Sequence, residues 1–453
     1  MDRVAAQKLV EWNHNKRRKP LIVWGARQVG KTYLIKDIFA ETYYKDHYIY
    51  IDCKIEDEVS DFCSKTANAG KIIEYISLRK GMQITENTLL VFDEVQECPN
   101  IISSLKYFCQ DFRQIPVIAT GSMVRIKIQR ETHKRGAADN GKFLFPVGKI
   151  NQITVYPMTF DEFLMNSNKM LYETVKKAYE SRKPLDTKIH ELAMEQVYKY
   201  LLLGGMPEVV DTYIESGNLL ESKEVLEALY DNYLSDMELY QASQEAILRS
   251  RALFSNIYKE LNKESKNFSP GLIEEKGKTR DFATSIQWLT MAHIVNQSFQ
   301  LKEHITMPLM PDNESNFRLF LGDIGMFSYQ SGINAASFVS SERENTLSGI
   351  FFENFVAGEL TAKDHKLFYW RGRASAELEF IIESDNRLYP IDVKKSKGTL
   401  NSLKKFSDHN KFGYAIKVSK NNYGYDHDQK ILTVPFYFFP FVAGDLADGK
   451  MNV

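Results

Sequence analysis

Residues 21–24, LIVW, form a short apolar run that predicts a buried strand. Leu34, Ile35, Ile38 and Phe39 follow at helical spacing and predict an amphipathic helix behind it. Residues 47–52, HYIYID, predict a second strand. Residues 88–94, TLLVFDE, predict an apolar strand that ends in two adjacent acids, and 116–122, PVIATGS, one that ends in hydroxyls. Strands alternating with helices suit an α/β domain with a parallel sheet. Between residues 165 and 245 the chain is rich in Leu, Glu, Lys, Tyr and Ala at helical period, clearest over 195–203 and 219–239. This predicts a helical layer.

The period changes again from residue 247. Leu253, Ile257 and Leu261 make one helical face, a short segment covers 269–275, and Phe282, Ile286 and Leu289 mark a third helix. Residues 294–307 alternate like a strand pair, and 317–321 return as a strand. Helix, helix, helix and hairpin is the order of a winged helix-turn-helix. A DNA-reading version needs basic and amide groups on its third helix, where Arg280, Thr284, Ser285 and Gln287 are available. Packing or protein contact is the alternative use. Farther on, 350–360 predict a helix, 367–370, 377–383 and 387–394 three strands, 399–408 a helix and 414–419 a strand.

Composition narrows the class. The chain has 453 residues, enough for about three domains. Its 58 basic and 59 acidic side chains cancel, so any nucleic-acid contact must come from a local patch. No apolar run reaches the roughly 20 residues of a membrane span. The N-terminal segment lacks the long apolar core of a signal peptide. Cys53, Cys63, Cys98 and Cys109 show no CxxC spacing, which fits reduced thiols in a cytoplasmic protein.

The glycines after the first strand bring in chemistry. Gly25-Ala26-Arg27-Gln28-Val29-Gly30-Lys31-Thr32, followed by Tyr33, is GxxxxGK[ST] between a strand and a helix. Gly25 and Gly30 let successive N–H groups turn toward phosphate oxygens. The helix N-terminus adds a favourable dipole. Lys31 suits the β- and γ-phosphates of ATP, and Thr32 suits Mg²⁺. Asp93 is the expected second Mg²⁺ holder. Glu94, expected to point the other way, is the candidate to polarise the attacking water. Ser122 and Thr120 are either γ-phosphate or water-holding hydroxyls or ordinary strand-end ones. The basic stretch Arg125, Lys127, Arg130, Lys134 and Arg135 either offers an arginine finger in Arg125 or is a solvated loop.

Together, GARQVGKT, VFDEVQE, ATGSMVR, VGKINQITVYPMTFDEFL and LLLGGMPEVV resemble prokaryotic AAA+-like ATPases, near the STAND and archaeal-type members, that carry a C-terminal PD-(D/E)XK nuclease-like domain. The resemblance runs from about residue 5 to 440 and implies four parts. These are a P-loop AAA+-like ATPase domain over 1–165, a helical lid over 166–245, a winged helix over 246–335 and a nuclease-like domain over 340–453. It implies that Pro207 sits near the adenine, whereas by its residues alone GGMP is a helix stop and a turn. It also implies that Glu379 and Asp392 bind Mg²⁺, that Lys394 orients or activates water, and that Glu353 completes the metal site. Glu379 departs from the family pattern, which has aspartate there. Lys394, Lys395, Lys397, Lys404 and Lys405 either track phosphates or form a solvated rim. The expected activity is an ATP-driven switch. An ATP-gated DNA endonuclease and a signalling NTPase or scaffold with an inactive nuclease fold are the alternatives. Expected partners are ATP, DNA, and a protein or second copy of the chain, with no membrane.

Overall fold

The computed structural model describes residues 1–122, 145–241, 243–333, 349–373, 376–394 and 401–451. They divide into two compact units, Arg3–Tyr156, and Pro157–Val453 with Met1–Asp2.

The first unit is built on β1 (Leu21–Trp24), β2 (Tyr48–Asp52), β3 (Leu89–Asp93), β4 (Val117–Thr120) and β5 (Asn151–Thr154). All pair in parallel, in the order β2-β3-β4-β1-β5. The apolar runs of β1, β3 and β4 are buried on both faces and take the centre, as a helix-covered parallel sheet requires. β2 alternates buried and half-buried residues and lies at the edge. Helices Asp57–Lys65, Ala69–Lys80 and Pro99–Asp111 supply Val59, Cys63, Ile72, Ile76, Leu105 and Phe108 to the core with Ile22, Leu90 and Phe92. The four cysteines are buried, free thiols. In sequence, β2 separates the two motifs; in the sheet, β4 is the strand between β1 and β3. The helix after β1 runs from Lys31 to Tyr43, and its middle, Leu34–Ala40, is wound as a π-helix.

The second unit begins with helices Phe160–Ser167, Lys169–Glu180, Thr187–Leu203, Pro207–Ser216, Leu219–Tyr240 and Gln244–Leu261. Short 3₁₀ turns lead to helix Ala283–Met291. The expected strand pair within 294–307 is one strand, β6 (Val295–Leu301), and its antiparallel partner is β7 (Phe317–Leu321). Pro308 and Pro311 lie in the intervening segment and have no N–H to give a ladder. β8 (Leu367–Arg371) adds to β6 in parallel and β9 (Glu377–Leu378) follows it, so segments on either side of residues 334–348 share the sheet β7-β6-β8-β9. A second sheet holds β10 (Phe380–Ser384), β11 (Arg387–Lys394), β12 (Ala415–Ser419), β13 (Gly424–Asp426) and β14 (Ile431–Pro435), in the order β10-β11-β12-β14-β13. Helix Gly349–Ala362 precedes β8 in sequence, and helix Asn401–Ser407 lies between β11 and β12. The single strand expected over 377–383 therefore breaks at Glu379, and its halves serve different sheets.

Three segments interlock in this unit. Leu203 ends its helix and Gly204 turns the chain at φ 75°. Gly205 N–H donates to Asp323 Oδ2 at 2.7 Å, and Gly205 O accepts from Met158 N–H at 2.6 Å. The Tyr200 hydroxyl donates to Met158 O at 2.6 Å. Burial pushes the Asp323 carboxyl up to about 6 against its backbone donors, Gly205 first among them. The GGMP motif is thus the residue set that lets backbone meet backbone here, and Pro207 opens the next helix at its first position, where no N–H is needed. Among the described residues, no helix is long and apolar enough to cross a membrane.

Candidate functional site

The site in the first unit forms where β1 and β3 end. Gly25 leaves β1 at φ 148°, and a Cβ there would lie 2.2 Å from Val155 O, so only glycine fits. Gln28 at φ 61° and Gly30 at φ 84° complete a left-handed turn sequence around buried Val29. Such turns aim N–H groups into one concavity. Gly30 is the N-cap of the helix, so the concavity and the helix N-terminus coincide. Ala26 is buried, Arg27 half-buried, and Gln28 and Tyr33 are exposed.

Lys31 is folded back into this loop. Its Nζ donates to Ala26 O at 2.7 Å and Gly25 O at 3.1 Å. Burial pushes the ammonium down to about 8, opposed by Glu94 and Asp93. Keeping it charged there costs about 3 kcal/mol, which a phosphate in the loop would offset. Thr32 Oγ1 donates to Asp93 Oδ2 at 2.7 Å and so ties the P-loop helix to the end of β3. Asp93 Oδ1 accepts from Glu94 N–H at 2.8 Å. Glu94 is off the strand at φ 49°, a strained conformation for a non-glycine residue. Its carboxylate accepts from the Gln96 amide. Burial holds Glu94 above the usual carboxylate range, with Gln96 opposing.

Thr120 is spent on the sheet, donating to Val23 O at 3.1 Å. Ser122, half-buried, stands two residues beyond β4. The candidate finger Arg125, with Lys127, Arg130, Lys134 and Arg135, lies outside the described residues. Pro207 belongs to the other unit.

Two contributors escaped the sequence reading. Tyr50, half-buried on edge strand β2, donates its hydroxyl to Asp93 Oδ2 at 2.7 Å, the same oxygen Thr32 uses. Burial and the Asp93 carboxylate push this phenol up, so it stays a donor. The alternation of HYIYID could have shown Tyr48, Tyr50 and Asp52 sharing a face, but not that the face meets Asp93. Arg3, buried, donates to Val29 O at 2.9 Å and Tyr156 O at 2.8 Å, bracing the P-loop backbone. Tyr50→Phe is expected to raise the Mg²⁺ concentration for half-maximal ATP turnover three- to tenfold, about 1 kcal/mol, with kcat at saturation little changed. A Mg²⁺ titration of turnover checks this; an unshifted midpoint removes Tyr50 from the site.

One family model covers this site. Residues 17–164 match the family model described as an AAA domain. The first unit thus carries an AAA-type domain with a P-loop. Residues 194–337 match a domain of unknown function (DUF8612), and residues 348–437 another (DUF4143). No curated protein matches the chain. Among solved structures, the Walker-type ATPase PABY2304 of Pyrococcus abyssi is similar at 14% identity and a TM-score of 0.43, over 73% of this chain and 95% of that one. The replication initiator DnaA bound to AMPPCP and single-stranded DNA is similar at 15% and 0.29, over 64% and 86%. The AAA domain match covers all of β1 to β5 and every candidate nucleotide residue except Pro207.

The second unit gathers the C-terminal candidates. Glu353 comes from helix Gly349–Ala362, Glu379 from the break between β9 and β10, and Asp392 and Lys394 from the end of β11. Lys394 Nζ lies 2.7 Å from Asp392 Oδ1 and 3.4 Å from Glu379 Oε1. The last β10–β11 pair is Phe380 with Ile391, so Val393 N–H has no partner on that strand; it donates to Glu379 Oε2 at 3.1 Å. Burial pushes the Glu379 carboxyl up, with Lys394 opposing. Glu353 does not join Lys394: both its oxygens accept from Lys266, at 2.6 and 2.8 Å. Lys404 is exposed and Lys405 half-buried, while Lys395 and Lys397 lie outside the described residues.

Proposed function

We propose that this chain is an ATP-hydrolysing switch whose second unit carries the output. The Thr32–Asp93 hydrogen bond carries the reading, because it joins the P-loop hydroxyl to the acid of β3. In this reading the N–H groups of residues 25–32 and Lys31 hold the phosphates, and Tyr33 borders them. Thr32 and Asp93 are an oxygen set suited to Mg²⁺, which when bound neutralises charge on the β- and γ-phosphates. Glu94 orients the attacking water and takes its proton. Ser122 reports the γ-phosphate. The helices of 166–245 act as the lid, 246–335 as a winged helix and 340–453 as a nuclease-like domain with DNA as its partner. The placement of Lys394 on Glu379 and Asp392 favours a second reading, an ATP-gated endonuclease, which requires that a metal displace Lys266 from Glu353.

The test is ATP turnover of the purified chain in Mg²⁺, with and without duplex DNA, and with a nicking assay alongside. Stimulation by DNA supports a nucleic-acid output; turnover indifferent to DNA points to a protein partner. Cleavage lost in Lys394→Ala supports the endonuclease, and cleavage unchanged in that variant removes it. Absence of turnover under every condition overturns the switch reading.

A further inference from the structure

The acids expected to hold a metal in the second unit already have cations and N–H groups on them. Glu353 gives both oxygens to Lys266, which also lies 3.7 Å from Glu377 Oε1. Glu377 Oε2 is 2.6 Å from Arg318 Nη2. Glu379 is divided between Val393 N–H and Lys394, and Asp392 Oδ1 faces Lys394. Four carboxylates therefore meet three cations in one cluster, with Glu353, Glu379, Asp392 and Arg318 buried and Lys266, Glu377 and Lys394 half-buried. Mg²⁺ binds oxygens directly at about 2.0–2.1 Å, so Lys266 must leave both Glu353 oxygens before a metal can use them. The residues present do not fit the metal that the nuclease resemblance implies.

Lys266 is no roaming surface lysine. The next residue, Asn267, accepts from the Tyr369 hydroxyl at 2.7 Å. Phe268 N–H donates to Phe317 O at 2.8 Å, and the two rings stack at 5.6 Å. Tyr369 in turn lies under the Arg318 guanidinium, 3.8 Å from ring centre to Cζ. The segment that delivers the Lys266 ammonium is thus fixed by the elements that deliver Arg318. Leaving the three buried carboxylates, Glu353, Glu379 and Asp392, together without these cations would be strongly unfavourable.

We propose that Lys266 is the resident cation of this acidic site and closes it to divalent metals. The inference stands apart from the ATPase reading, since none of its residues lies in the first unit.

The test is Mn²⁺ uptake by the full chain without nucleotide, by isothermal titration and Mn²⁺ spin resonance, in an Asp93→Asn background that silences the P-loop. With Lys266 in place, no saturable uptake is expected below about 1 mM. Lys266→Met should take up Mn²⁺ at least tenfold more tightly, and adding Asp392→Asn should remove the gain. Lys266→Gln, which keeps length and a donor to Glu353, gives the same comparison if the methionine variant does not fold; circular dichroism checks both. Saturable uptake with Lys266 present, abolished by Asp392→Asn, overturns the proposal whatever the variants do. So does a folded Lys266 variant that binds no better than its parent.

Discussion

Glu94→Gln is expected to bind ATP at least as tightly as the wild type and to turn it over about 10²–10⁴-fold more slowly, the usual worth of a positioned general base. The amide keeps the length of the side chain and an oxygen to accept from Gln96. It loses only the charge and the basicity. Removing a carboxylate beside the phosphate site also removes a repulsion, so affinity should not fall. Lys31→Ala is the contrasting variant. It leaves the Glu94 carboxylate intact but takes away the cation folded over Gly25 O and Ala26 O, so binding itself should be lost. Equilibrium binding of a fluorescent ATP analogue and steady-state phosphate release separate the two. Equal hydrolysis by Glu94→Gln and wild type excludes Glu94 as the base; wild-type binding by Lys31→Ala excludes the P-loop as the site.

Local motifs were readable and remote partners were not. Residues 25–32 are contiguous, and each glycine states its own backbone requirement, so the loop is visible in sequence. Asp93 and Glu94 are visible as acids that end an apolar strand. Tyr50 lies 43 residues before Asp93, and only the β2–β3 register brings them together. Lys266 lies 87 residues before Glu353 and sits in a polar stretch, KESKNF, that reads as a solvated loop. Its role depends on a sheet that joins β6 and β8 from segments read as separate parts. The β6 hairpin was misplaced because alternation continues into a proline-bearing loop, and the period alone does not mark the stop. The segment 377–383, ELEFIIE, has no glycine or proline at the break, so the change of sheet leaves no trace in composition.

Gly205→Ala should destabilise the second unit by roughly 2–6 kcal/mol, combining overpacking with the loss of buried hydrogen bonds. A Cβ at Gly205 would lie 1.9 Å from Met158 O and 2.7 Å from Met158 N, both backbone atoms. Neither side can give way cheaply. Gly205 is held by Asp323, and Met158 by Gly205 O and the Tyr200 hydroxyl. Any shift large enough to admit a methyl group breaks one of these bonds and strands a buried donor. Gly217→Ala is the control that separates this from the general cost of replacing glycine. Gly217 caps the same helix at φ 66°, but a Cβ there meets nothing within 4 Å. It should cost only the left-handed backbone term, about 1–2 kcal/mol. Urea unfolding of both variants, followed by hydrogen exchange at the Met158 and Gly205 amides, checks the pair. If the two substitutions cost the same, GGMP is merely a helix stop; a larger loss at Gly205, with fast exchange at Met158, makes it the clasp where segments 157–160, 203–207 and 322–326 meet.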